Sequence, residues 1–407
     1  MKSGWFNMGG NMESLREMYK VGSGPSSSHT LAVQRAMKLY RDEFKEVTRF
    51  EVELYGSLSL TGKGHYTDHA IIMAADPIPC EVFFKLDWEY DFDSGLIIKG
   101  FNQETALEPW VVYSIGGGSI KVLNRDFDFQ KEVYPFTNFD EIKRYIDQEQ
   151  LSLAELVYRF EPDIKPFLKE ILEAMNQAVF RGLQKEGQLL GKLNMPRVAK
   201  ELYENIKEGD IKRQKLVAYA YANMEENATL GEVVTAPTCG ASGIMASMMT
   251  YFTKDEPFNT EKLVDALAVA GIFGSIIKRN ATISGAQGGC QAEVGAGCVM
   301  AAAALATLYD YNIEEIEYAC EIAMEHHLGL TCDPVGGYVI IPCIERNAAA
   351  VLRAVDAVHM AKMILKTKPN RVTFDQVVNT MNYTGQKIAI ELRETALGGL
   401  AQEIIVD

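Results

Sequence analysis

Residues 261–280 read EKLVDALAVAGIFGSIIKRN. Between charged ends nearly every position is apolar or small, so no face of such a helix is left for water. A helix of this kind belongs inside a bundle. Downstream, QAEVGAGCVMAAAALATL (291–308) continues as a small-residue helix. IEEIEYACEIAMEHH (313–327), ERNAAAVLRAVDAVHMAKMILK (345–366) and FDQVVNTMNYTGQKIAIELRE (374–394) follow with helical periods. Upstream, TNFDEIKRYIDQEQ (137–150) opens with a Thr/Asn cap and early acids. LSLAELVYRF (151–160), IKPFLKEILEAMNQAVFRGLQ (164–184) and QKLVAYAYANMEENA (214–228) extend the pattern. Everything after about residue 137 reads as all-helical.

The preceding stretch has another texture. EVTRFEVELYGSLSL (46–60), CEVFFKLDWEYDF (80–92), GLIIKGF (95–101) and WVVYSIGGGSIKVL (110–123) are β-like runs between glycines and acidic turns. SSHTLAVQRAMKLYRDEF (27–44) reads as a helix capped by serine or threonine, with Ala32, Ala36 and Leu39 on one side. The expectation is two domains: an α+β unit over 1–137, then an all-α unit over 138–407 that carries the chemistry. No linker rich in Pro, Gly or Ser separates them, so the halves should pack tightly. There is no internal repeat.

With 47% hydrophobic and 23% charged residues the chain is globular. Its net charge of −15 argues against nonspecific binding to nucleic acid or anionic membranes. The longest apolar run, Ala266–Ile277, is shorter than the roughly 20 residues of a spanning helix. The expected setting is cytoplasmic, where the seven cysteines are thiols or ligands instead of disulfides.

Three cysteines stand apart. Cys290 follows SGAQGG at the start of a helix, Cys332 lies in LTCDPVGG, and Cys343 in PCIERNAA just before a helix, with spacing C-x41-C-x10-C. A helix N-terminus stabilises thiolate. Three thiolates from separate loops can hold a metal or cluster with one position open, though spacing alone does not name the metal. Cys80, Cys298 and Cys320 fall in strand-like or helical apolar settings and read as core, Cys298 being at most a reserve ligand.

GPSSSHT (24–30), YGSLSLTGKGHYTD (55–68), TAPTCGASG (235–243), SGAQGGCQAEVG (284–295) and LTCDPVGG…PCIERNAA (330–349), in this order and with this cysteine spacing, resemble the bacterial iron–sulfur L-serine dehydratases. The resemblance runs over nearly the whole chain. It implies a β-type domain followed by an α-type domain, and a [4Fe-4S] cluster on Cys290, Cys332 and Cys343 whose fourth iron is free for substrate. It implies conversion of L-serine to pyruvate and ammonia in serine catabolism, with gluconeogenesis downstream, and a homodimer. It also implies that His29 and His65 enter the active site from the first domain. Cys239 stands where the family usually has Asn, which brings a thiol towards the site. The chain ends AQEIIVD, without the terminal cysteine that caps the open iron in some relatives.

A Lewis acid would polarise the substrate and accept the departing hydroxide. The general base is then expected to be His65, with His29 as its hydrogen-bonding partner and Asp68 or a backbone carbonyl orienting the ring. His69 lies where TDHAIIMA turns apolar, His326 and His327 end a helix in structural roles, and His359 reads as core. Ser26, Ser27, Ser28 and Thr235 are candidates for binding the substrate's carboxylate and ammonium. For any one of the serines, simple helix capping is the competing reading. The GGGSI of 116–120 lacks a following helix and a Walker lysine, so it is no phosphate loop. L-threonine or L-cysteine as substrate, and a sensor or scaffold without turnover, are the nearest alternatives. A pyridoxal-phosphate enzyme would need an α/β fold and a Schiff-base lysine, and a serine hydrolase its G-x-S-x-G elbow.

Overall fold

The computed structural model describes residues 11–87, 89–90, 92, 94–127, 132–404 and 406. Trp88 and Asp91 of the 80–92 run, and Ile405 and Asp407 of the tail, lie outside the described residues, as do parts of the 1–137 unit.

Arg49–Gly56 alternates buried Phe50, Val52 and Leu54 with Glu51, Glu53 and Tyr55, the period-two pattern of a strand with one face on a core. It is flanked by Cys80–Phe84, in parallel, and Ser94–Asn102, antiparallel. Trp110–Gly116 and Ser119–Val122 complete the main order, with Thr105–Ala106 on the edge of Ser94–Asn102. The GGGSI stretch is the hairpin turn between the last two strands; Gly116, Gly117 and Gly118 all take the positive φ that the turn requires. Helices Ala32–Glu43 and Thr67–Ala75 share one core with the sheet, built around Val33, Met37, Tyr40, Phe50, Ile71 and Trp110. The parallel pair is joined through Ser57–Leu60 and Thr67–Ala75. That crossover carries GKGH.

The second half is helical, as its periodicity requires. Ser152 and Glu155 form a reciprocal capping box on Leu153–Phe160, and Asn138 Oδ1 accepts from the Glu141 N–H. The Thr260–Asn280 helix that reads apolar all round is buried from Leu263 to Lys278 except at Asp265. It packs on Ala296–Leu308, where the alanines 301–304 let neighbouring helices approach closely. Ser242–Lys254, Ile313–Glu325 and Cys343–Ile364 surround that centre. Among the described residues, Gln291–Leu308 is the helix long and apolar enough to cross a membrane, and 89% of that window is buried inside the protein.

The halves are stitched together by the N-terminal segment. Met12, Leu15, Met18 and Tyr19 pack in the helical core. Val21–Ser23 pairs antiparallel with Glu232–Val234, and Met12–Glu13 with Glu132–Tyr134. A charge cluster closes the same seam: Arg35 donates to Glu17 at 2.9 and 3.0 Å, and Lys278 donates to Glu13 and Ser119 at 2.6 and 3.1 Å. Burial raises the Glu17 pKa, but Lys20, Arg35 and Lys278 together hold it down to about 2.

Two sequence expectations change. The FDQVV…LRE run was expected to be helical to Glu394, yet the helix is Phe374–Lys387. Beyond it the Cys332 N–H donates to Leu392 O at 2.8 Å and the Glu394 N–H to Cys332 O at 2.7 Å, a tertiary pairing that overrides local periodicity. His359 is exposed and stacks on Tyr309 at 6.4 Å, on the outer side of Cys343–Ile364, so it is not a core residue.

Candidate active site

Ser26 caps the first helix of the chain's sheet-bearing half. Its Oγ accepts from the His29 N–H, and a π-helical turn over Ser27–Leu31 leads into Ala32–Glu43. The wider turn leaves Ser27, Ser28, His29 and Thr30 all buried at the seam between halves. Opposite, Gly64 lets GKGH approach the cysteine loop: a Cβ there would lie 2.5 Å from the Gly337 carbonyl carbon and oxygen.

His29 and His65 stack with ring centroids 4.2 Å apart and an interplanar angle of 19°. Thr61 organises both. Its carbonyl lies 3.0 Å from His65 Nδ1 and its hydroxyl 2.9 Å from His29 Nε2. A carbonyl only accepts, so His65 carries its proton on Nδ1 and leaves the Nε2 lone pair free. By the same reasoning His29 Nε2 donates towards Ser57 O at 3.1 Å, and its Nδ1 faces Ser26 Oγ at 3.2 Å. Burial holds His65 down to about 4, against a smaller upward pull from the Thr61 carbonyl. Burial and the neighbouring imidazole push His29 well below its ordinary value. Both rings are therefore neutral at pH 7. The orienting group is the backbone carbonyl; Asp68 instead pairs with Lys63 at 2.5 Å.

The thiols come from the helical half. Cys290 precedes the π-helical turn Gln291–Gly295, Cys332 sits in the loop paired with residues 392–394, and Cys343 opens Cys343–Ile364. All three are buried and line one pocket with Pro25, Ser26, His65 and Glu394. Hydrogen bonding to Cys290, then burial, pushes the Cys332 thiol well up; burial and then Cys290 do the same to Cys343. Soft donors converging in this way form a set that a cation would complete. Arg346 stands beside all three thiols and donates to Thr331 O at 2.6 Å.

Two carboxylates that sequence reading missed complete the pocket. A Glu293 oxygen and the Cys290 and Cys332 sulfurs lie within 4.8 Å of one another, and burial lifts Glu293 to about 7 against the pull of Thr238 and Arg346. Glu394 Oε1 lies 3.7 Å from both His29 Nδ1 and His65 Nε2. Burial, then Glu293 and Cys290, push its carboxyl well above the ordinary range. Glu293 and Arg346 each fall three residues after a ligand-type cysteine, on the same helical face, and that spacing was a usable signal. Glu394 had none, because its helix-like surroundings conceal a loop.

The other candidates are placed differently. The Thr235 hydroxyl donates to Met18 O at 2.8 Å and accepts from the Lys20 N–H at 2.9 Å, and Thr235 is not among the pocket-lining residues. Ser28 contributes its carbonyl to Ser114 Oγ at 3.0 Å. Cys239 packs with Ala178 and Val233, and its neighbour Gly240 lines the pocket instead. Cys298 Sγ donates to Ala350 O and Cys320 Sγ to Val299 O, both away from the site. His326 and His327 engage the carbonyls of Ile322 and Ala323 at 2.8 and 2.7 Å, the structural use expected of them.

The sequence is similar to those of known proteins. A family model described as serine dehydratase alpha chain matches residues 43–401, a span that crosses both halves. L-serine dehydratase 2 of Escherichia coli (strain K12) is 38% identical over 455 residues, covering 97% of this chain and 99% of that protein. L-serine dehydratase 1 of the same organism is 38% identical, with 97% and 100% covered. L-serine dehydratase of Streptomyces coelicolor is 36% identical, with 96% and 99% covered.

Proposed function

Because this chain belongs to the serine dehydratase family, we propose that the pocket between its halves is where L-serine loses water to give pyruvate and ammonia. The enzyme is a lyase that dehydrates L-serine. The observation that carries the proposal is the convergence of three buried thiols and a lone-pair-bearing imidazole nitrogen on one pocket.

Cys290, Cys332 and Cys343 fit a [4Fe-4S] cluster: three soft, buried donors, with Arg346 beside them to offset thiolate charge. When bound, the cluster supplies Lewis-acid polarisation of the substrate's oxygens. The chain's own groups do the rest. His65 Nε2 takes the α-proton from Cα, and the Thr61 carbonyl keeps the other ring nitrogen protonated so that this lone pair stays aimed. The released electron pair forms Cα=Cβ as the Cβ–O bond breaks, and the proton on His65 leaves with the hydroxyl as water. The resulting enamine tautomerises and hydrolyses in solvent. His29, stacked on His65 and held by Ser26, Ser57 and Thr61, fixes the ring plane. Ser26 faces the pocket and is the serine best placed for the substrate carboxylate, with Ser27 and Ser28 shaping the turn behind it. Thr235 supports the site through the N-terminal segment. We read the chain as units 1–137 and 138–407, with residues 12–19 reaching across into the helical core.

The test is pyruvate and ammonia release by anaerobically purified protein offered L-serine, L-threonine and L-cysteine in parallel. L-serine is expected to give the highest kcat/KM. No turnover of any of the three would contradict the reading.

A further inference from the structure

We propose that Glu394 is the residue that receives the α-ammonium group of the substrate, an inference that rests on the L-serine reading above. Glu394 is buried, and its Oε2 has no hydrogen-bond partner. Among the described residues no lysine or arginine pairs with it: its close contacts of that kind are with the imidazoles of His29 and His65, and the other titratable groups that act on it, Glu293 and Cys290, are acidic. A buried carboxyl with an unpartnered oxygen is costly, and an ammonium would both partner it and draw it to its charged form.

The neighbouring lone pairs sharpen the argument. The hydrogen bonds that fix the two tautomers leave His29 Nδ1 and His65 Nε2 as acceptors, each 3.7 Å from Glu394 Oε1. Glu394 is the acceptor left at this end of the pocket, beside Ser26 Oγ: His29 Nδ1 is engaged by that hydroxyl and does not line the pocket, and His65 Nε2 is the base for the α-proton. A group with several N–H donors and a positive charge suits that end, and an ammonium is such a group. The other carboxylate of the pocket, Glu293, already has the Arg346 charge acting on it. An ammonium on Glu394 also sets Cα one bond away, next to the His65 Nε2 that must take its proton.

The backbone is arranged to keep Glu394 there. It holds φ +57°, rare for a side chain other than glycine, and is pinned on both sides. Its N–H donates to Cys332 O at 2.7 Å, and its carbonyl accepts from Ser57 Oγ at 3.1 Å. One residue is thus tied to the cysteine loop and to the histidine-bearing crossover.

The experiment compares holoenzyme with Glu394→Gln and Glu394→Asp, each checked for iron content and thermal melting. Steady-state kinetics are read with L-serine. Calorimetric binding is read with glycerate, which keeps the carboxylate and β-hydroxyl and replaces the ammonium by hydroxyl. Glu394→Gln is expected to raise KM for L-serine by about 10²-fold or more, while glycerate affinity changes less than about threefold. If the Gln variant loses iron, the Asp variant decides: a KM rise for L-serine without a matching loss of glycerate binding supports the assignment. Parallel loss of both ligands overturns it. So does a fall in kcat at unchanged KM, which would make Glu394 a positioning residue for the histidines. Wild-type protein inactive on L-serine would defeat the underlying reading; active wild-type with parallel shifts would defeat this inference alone.

Discussion

The sheet-bearing half and the helical half reach the same pocket by opposite routes. In the first, a crossover between parallel strands lifts Thr61 and His65 off the sheet, and a π-helical turn brings in His29. Its contribution is lone pairs and hydroxyls whose orientation is fixed by backbone carbonyls. In the second, helices rich in alanine pack closely, Cys290 and Cys343 stand at helix starts, and Cys332 sits in the loop between. Its contribution is soft donors and charge. On the proposed reading, proton transfer and Lewis-acid chemistry are housed in separate scaffolds, and the seam between them is the working part.

The comparison can be broken from the helical side most severely. Cys332→Ala is expected to remove the bound iron and to lower kcat at least about 10³-fold, checked by iron and sulfide analysis beside pyruvate release. Iron retained at wild-type stoichiometry would remove Cys332 from the ligand set. The seam itself is tested by Gly64→Ala, whose methyl group would press on the Gly336–Gly337 backbone. With both halves folded and iron retained, kcat/KM should drop by about 10²-fold, the cost of misplacing a catalytic group by about 1 Å. Unchanged turnover would mean the halves do not need this approach.

On the sheet side, Thr61→Val deletes the hydroxyl that meets His29 but leaves the carbonyl that meets His65. It should lower kcat by about fivefold with KM nearly constant, matching one lost hydrogen bond of about 1 kcal/mol. The pH profile gives the smallest signal. A base acts unprotonated, and burial holds His65 at about 4, so kcat/KM should show no His65-dependent loss between pH 8 and 6. The fall comes only as the pH drops towards that value. A midpoint near 6.5 would mean that His65 is solvated or is not the base.

Much of this was legible in the chain itself. Alternation in RFEVELYG and the all-round apolarity of 261–280 set the two textures, because burial on one face or on all faces leaves a periodic trace. The cysteines, His29 and His65 were legible because glycine and proline surround them. What stayed hidden depends on contacts distant in sequence. Glu394 looks like the last turn of a helix until the Cys332 loop pairs with it. His359 carries an apolar neighbourhood in sequence but lies on the outer face of its helix. Thr235 sits in a site-like motif, yet its hydroxyl is taken up by the N-terminal segment. No periodicity reports such pairings.

The most direct test of a site shared between halves is His65→Ala, purified anaerobically and measured for iron, sulfide and pyruvate release in one preparation. The account predicts wild-type iron and sulfide, with turnover of L-serine lowered by about 10²- to 10⁴-fold. An intact cluster with near-normal turnover would contradict it.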